Sequence, residues 1–150
     1  MKTKGPWSIE QIENFFHETE IPIRLGCNGG KGTPMLISLW FTSVKGRLWC
    51  ATQENSRIVQ LLRRDTRCAF EVSTENFPYR GVRGTGVASI YPERGKEFLQ
   101  ALITRYLGTS NTKLASFLLS RAQKEVAIEI QPETIVSWNF QGRMVSSSSH

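Results

Sequence analysis

The stretch Tyr79 to Tyr91, YRGVRGTGVASIY, constrains the fold more than any other part of the chain. Its aromatic and β-branched residues read as one long strand, yet Gly81, Gly84 and Gly86 interrupt it. Glycines inside a strand mark a bulge, a sharp bend or the close approach of another backbone or ligand. A strand bent this often belongs to a curved sheet, and so to a barrel. Just before it, Arg67 to Thr74 gives the cleanest alternation in the chain, with Cys68, Phe70 and Val72 on one face and Ala69, Glu71 and Ser73 on the other.

The remaining elements fit around these two. Pro6 to Glu18 reads as a helix, because Ser8 and Gln11 make a capping-box pattern and Ile9, Ile12, Phe15 and Phe16 form an apolar stripe. Ile21 to Asn28 reads as a strand that ends in the reversal Asn28-Gly29-Gly30-Lys31-Gly32, a hairpin loop. Pro34 to Arg64 then reads as strand, tight turn, strand and helix. The strands are Leu36–Thr42 and Arg47–Thr52, and the helix runs from Ser56 to Arg64 with Ile58, Leu61 and Leu62 on its buried side. Pro92 opens a helix that lasts to Gly108, and Asn111 to Ala122 is a shorter one. Two further strands, around Val126–Ile130 and Thr134–Phe140, are expected on either side of Pro132. Strand runs with few crossing helices argue for a mainly β protein with peripheral helices, largely antiparallel and barrel-like. Residues 1–142 form one domain in this reading, and 143–150 a disordered, Ser-rich tail.

Composition removes several function classes. Apolar residues make up 39% of the 150 and charged residues 21%, as in a packed soluble domain, so global disorder is not expected. No apolar run approaches the ~18 residues of a membrane span, and Met1 to Pro6 lacks a signal-like apolar core. The expected address is the cytoplasm. Cys27, Cys50 and Cys68 form no CxxC pair and each falls in a predicted strand, which suits buried, reduced thiols. His17 and His150 are the only histidines, so a histidine-built metal site or a Ser–His–Asp or Cys–His mechanism has almost no material. No Gly-Lys-Ser/Thr follows the glycine loop, which excludes a Walker-type phosphate site. Redox or other demanding chemistry would have to come with a cofactor.

A net charge of +6 favours anionic partners. The best single place for an anion is the helix that opens on Asn55, Ser56 and Arg57, where free backbone N–H groups, a hydroxyl and a guanidinium converge. Trp40 and Trp49, on the strands before that helix, are read as walls of a ligand cleft or as plain packing. Arg63, Arg64, Arg67, Arg80 and Arg83 leave a nucleic-acid surface open, without the basic cluster that such arms usually carry.

Taken together, Gly32-Thr33-Pro34 leading into Ile37-Ser38-Leu39-Trp40-Phe41, Ala51-Thr52, Ser56-Arg57, Leu62-Arg63-Arg64-Asp65, Tyr79 to Gly86 and the closing Ile135-Val136-Ser137-Trp138-Asn139-Phe140 resemble the flavin-binding split-barrel family. The best-known member of that family is pyridoxamine 5'-phosphate oxidase. The resemblance covers nearly the whole chain and implies an FMN-binding split β-barrel, antiparallel and Greek-key-like, that forms a homodimer with its cofactor at the subunit interface. It implies FMN, or alternatively a deazaflavin coenzyme or haem, together with a small-molecule substrate. Residue by residue, it implies that Ile37, Ser38, Leu39 and Trp40 run along the flavin edge, with Ala51 and Thr52 nearby. Ser56 and Arg57 would grip the phosphate, with Arg83 at the phosphate or flavin edge and Trp138 against the ring.

Three departures go with it. Ile58 stands where the family often has a further lysine, Met35 and Trp40 stand where the oxidase has basic residues for its own substrate, and Gly81 replaces an amide side chain that touches flavin. Pyridoxamine phosphate is therefore not the expected substrate. Two readings follow, an oxidoreductase whose flavin or deazaflavin does the hydride chemistry, and a module that holds flavin, deazaflavin or haem without turnover.

Overall fold

The structure is a computed structural model and describes residues 1–141; the Ser-rich tail expected at 143–150 lies outside them. Eight strands form one curved sheet: β1 (Lys2–Lys4), β2 (Ile23–Asn28), β3 (Pro34–Leu39), β4 (Thr42–Val44), β5 (Arg47–Gln53), β6 (Arg67–Ser73), β7 (Arg80–Tyr91) and β8 (Glu125–Asn139). Four helices surround it: α1 (Ile9–Glu18), α2 (Arg57–Arg64), α3 (Gly95–Leu107) and α4 (Thr112–Ser120). The strands are ordered β3-β2-β6-β7-β8-β5-β4, with β1 added parallel to β8 and all other pairs antiparallel. The two ends of this path, β3 and β4, are joined through Trp40 and Phe41 alone, so the sheet wraps round on itself. Its interior holds the main core, where Ile23, Leu25, Phe41, Leu48, Val72 and Ile130 are buried.

Much of this follows from local chemistry. Ser8 caps α1, accepting from the Gln11 N–H at 3.2 Å while the Gln11 side chain accepts from the Ser8 N–H at 2.8 Å. Ile12, Phe15 and Phe16 then face the core. In α2 the buried residues are Ile58, Val59, Leu61 and Leu62. The glycines of β7 meet close neighbours, as a bent strand requires. A Cβ on Gly84 would strike the Thr134 carbonyl oxygen and come within 2.6 Å of the Phe70 ring.

Three expectations need correction. The strand read as Leu36–Thr42 is two strands, because β3 pairs with β2 whereas Thr42–Val44 pairs with β5. At the break, Phe41 is buried edge-on against Phe16 and Trp40 stacks on Tyr106. The Tyr106 hydroxyl accepts the Phe41 N–H at 3.3 Å, supplying a partner that a neighbouring strand would otherwise provide. The second correction concerns Pro132, which does not end a strand, since β8 runs unbroken through it. It lies opposite Gly86, where the β7–β8 register shifts. A proline without an N–H is tolerated at such an irregularity, and a glycine opposite leaves room for its ring. The third is Pro92, which opens a 3-10 turn, Pro92–Arg94, with α3 starting at Gly95.

Candidate cofactor site

The start of α2 has the chemistry expected of it. Ser56 is the N-cap, but its side chain makes no capping bond, and its Oγ is buried with no hydrogen-bond partner. The first N–H groups of a helix lack intrahelical acceptors, so they and the orphaned hydroxyl are left at one point. Arg57, the first helical residue, is exposed and makes no ion pair with any described residue. It lies close enough to the end of β2 for its charge to act on Cys27. Burial and the Asp65 carboxylate push that thiol up, and Arg57 pulls it back. A buried hydroxyl without a partner costs roughly 1–3 kcal/mol, and a phosphate oxygen would answer it. The residues present therefore fit a phosphorylated cofactor. Ile58 is fully buried, so no second side-chain cation stands at the next position.

The opposite end of α2 is closed. Arg67 holds Asp65 with two guanidinium bonds, at 3.0 and 2.7 Å, and its backbone N–H adds a third at 3.1 Å. These bonds keep the Asp65 carboxyl well below the usual range.

β3 lies at one end of the strand order, so one of its edges has no partner strand among the described residues. Along an edge strand, alternate residues turn their N–H and C=O groups outward. Ile37 and Leu39 pack their side chains on the barrel core, and Ser38 faces outward. A flat group lying along β3 would meet this backbone and the Ser38 hydroxyl, not the Ile37 and Leu39 side chains. Thr52, near the end of β5, is half-buried and pairs with Val126.

Other predicted residues are engaged elsewhere. Trp49 is core, stacked on Phe98 with ring centroids 4.2 Å apart and with the Arg94 guanidinium 4.7 Å from its own ring centroid, so it does not line a cleft. The Trp40 ring lies 5.0 Å from Tyr106 and packs, with Ala51, against the cluster of Leu99, Ile103 and Ala122. Arg83 and Trp138 come together, the guanidinium 5.4 Å from the ring centroid. Gly81 makes this arrangement possible, because a Cβ there would sit 2.7 Å from the Trp138 ring. No hydrogen bond or ring contact among the described residues joins this pair to Ser56 and Arg57.

Sequence reasoning missed the outer face of the sheet. Two adjoining hollows of about 610 and 380 Å³ lie on it, and both are lined by Gly26, Ala69 and Thr85. Arg24, Glu71 and Arg83 are successive cross-strand neighbours beside them, and Leu36 stands 73% exposed in the second. The signal was available, since outward strand positions held by Gly and Ala are unusual for a solvated surface. Among the described residues no helix is long and apolar enough to cross a membrane, and no cluster of side chains suits a metal ion. All three cysteines are free and buried, as expected.

No family model matches the sequence, and no curated protein does. Solved structures do. The chain is similar to a conserved hypothetical protein from Mycobacterium tuberculosis, at 26% identity and a TM-score of 0.75 over 89% of this chain and 86% of that one. It is similar to an F420 reductase at 20% identity and a TM-score of 0.70, over 87% and 97% of the two chains. It is also similar to HutZ, the haem storage protein of Vibrio cholerae, at 15% identity and a TM-score of 0.63, over 85% and 92%. Others of the same fold are named for pyridoxamine 5'-phosphate oxidase and for FAD binding. The element order, the wrapped antiparallel sheet and these likenesses give the chain a split-barrel fold like that of the pyridoxamine 5'-phosphate oxidase-like structures.

Proposed function

We propose that this protein is an FMN- or deazaflavin-dependent oxidoreductase, active as a homodimer with its cofactor at the subunit interface, acting on a small organic substrate other than pyridoxamine phosphate. The observation that carries the reading is the start of α2, where a buried Ser56 hydroxyl has no partner and Arg57 has no counter-ion beside it. Both groups answer a phosphate, and the free edge of β3 offers backbone donors and acceptors to a flat heterocycle. A bound flavin or deazaflavin supplies hydride transfer. The protein's own part is to bind the phosphate through Ser56 and Arg57, to orient the ring through the β3 backbone and to exclude water.

The dimer fits the same surface. Arg83 and Trp138 make no contact with Ser56 or Arg57 within one chain, so they serve a common cofactor only from a partner subunit. Leu36, 73% exposed in the smaller hollow, is an apolar side chain that a second copy would cover. The first test is an absorption spectrum and mass analysis of whatever co-purifies, followed by titration with FMN and with a deazaflavin. Arg57→Ala should weaken FMN binding by about 10- to 100-fold, the range for losing a charge-assisted hydrogen bond, and leave thermal stability unchanged. Unaltered affinity would put the phosphate elsewhere.

A second reading, a non-catalytic carrier of flavin or haem, is favoured by Ile58. Its burial removes a cation from the site, and one structure of this fold is named as a haem storage protein. Among the described residues the one histidine available to a haem iron is His17, which lies on α1 beside Glu13. Steady turnover of a reduced deazaflavin or nicotinamide with an acceptor would favour the enzyme over the carrier.

A further inference from the structure

Cys27 in β2 and Cys68 in β6 are direct partners in the antiparallel register. Both residues are 7% exposed, and both line the 610 Å³ hollow. Opposed residues of antiparallel strands have Cα atoms about 4.5–5.5 Å apart, inside the ~4.4–6.8 Å span of a disulfide. The Cα spacing of a directly opposed pair is thus one that a disulfide can span. Cys68 now donates its S–H to the Gly86 carbonyl at 3.5 Å, so the reduced form has a resting partner. Cys50 differs, because it is fully buried and its register partner is Ile128.

We propose that Cys27 and Cys68 form a reversible dithiol–disulfide site in the wall of this hollow. Nothing in the cofactor reading is needed for it. Burial and the Asp65 carboxylate push the Cys27 thiol up and Arg57 pulls it back, whereas burial pushes the Cys68 thiol up to about 12, so Cys27 is the readier attacking thiolate of the two. The oxidant class is a small disulfide such as oxidised glutathione. The Cys27 thiolate attacks one of its sulfurs, the S–S bond breaks, and the leaving thiolate takes up a proton. Cys68 then gives up its proton and attacks the Cys27 sulfur of the mixed disulfide, expelling the second thiol. Two protein thiols are oxidised, and one disulfide is reduced to two thiols. The product ties the end of the β2–β3 hairpin to β6.

The test treats the whole reduced protein with oxidised glutathione, quenches in acid, unfolds it and alkylates the remaining thiols for intact-mass and peptide analysis. One alkylated thiol per chain, at Cys50, a linked Cys27–Cys68 peptide and a return to three alkylated thiols after dithiothreitol would support the site. Cys27→Ser and Cys68→Ser should each lose the linked peptide. Three alkylated thiols after oxidation, a link that includes Cys50, a link between chains only, or a stable glutathione adduct without an internal bond would each overturn it.

Discussion

The β5–β8 side of the barrel and the β3–β2–β6 side are built from the same sheet and finished differently. On the first, α3 lies across the strands and most groups are answered, the buried Arg105 Nε being an exception. Trp49 stacks on Phe98, Arg94 covers both rings and pairs with Glu97, and Arg47 reaches the buried Glu129 at 3.0 Å. On the second, Leu36 is exposed, Ser56 Oγ is buried without a partner, and Arg57 and Arg83 lack counter-ions among the described residues. Folding alone accounts for the first side. The second carries costs that folding does not explain, and groups left so are where a ligand or partner gains most.

If that division is right, damage to the two sides should separate stability from binding. Trp49→Ala removes the centre of the covered side and should cost about 3–5 kcal/mol of stability, the usual range for a large aromatic in a core. Urea denaturation measures this. The FMN affinity of the molecules that remain folded should not change, and a joint loss of both would erase the distinction. Leu36→Asp tests the other side. As the side chain is mostly exposed in one chain, protomer stability should hold. Dimerisation should weaken by roughly 10- to 100-fold, from the ~1.5–3 kcal/mol of burying a leucine, in sedimentation equilibrium. An unchanged dimer would move the interface off this face.

Ser56→Ala has a smaller and more specific effect. An N-cap serine replaced by alanine ordinarily loses about 1 kcal/mol, but here the hydroxyl makes no capping bond. Removing a buried, unpartnered group should leave the free protein as stable or slightly more so, and weaken FMN binding several-fold. Opposite signs in melting temperature and affinity mark a group kept for a ligand, whereas a loss of both would mark a cap.

The two sides were not equally legible in the sequence. Local signals were accurate wherever one element satisfies itself, as in the Ser8–Gln11 box, the alternation of β6 and the buried stripe of α2. Errors arose where a distant partner decides. Trp40 and Phe41 break a strand because Tyr106, far along the chain, takes the Phe41 backbone and stacks on Trp40, and Pro132 sits in a strand because Gly86 faces it. From the sequence Trp49 reads as cleft wall or as plain packing, because nothing in its neighbourhood announces Phe98. Of the candidate site, the helix start was readable because an N-cap and its cation are adjacent in sequence. The outer face was readable only in part, because small residues at outward strand positions hint at it but Gly26, Ala69 and Thr85 become neighbours only once β2, β6 and β7 are paired.

The smallest effect compares one carboxylate from each side. Asp65, at the end of α2, is held low by Arg67. A depressed acid contributes stability that is present above its ordinary value of 3.8 and is lost as pH falls below it. Glu125, at the start of β8, shifts upward because burial outweighs the bond it accepts from the Gln53 side chain. The native state then binds that proton more tightly than the unfolded chain does. Its contribution is complete below the ordinary 4.5 and declines as pH rises from there through the folded value. Melting temperatures followed upward from pH 4.5 should therefore fall more in the wild type than in Glu125→Gln, whose amide keeps an acceptor for Gln53 and carries no charge. Below pH 3.8, Asp65→Asn should flatten the acid loss instead. Parallel curves for wild type and Glu125→Gln would mean that water reaches Glu125, and that this part of the covered side is more open than its burial indicates.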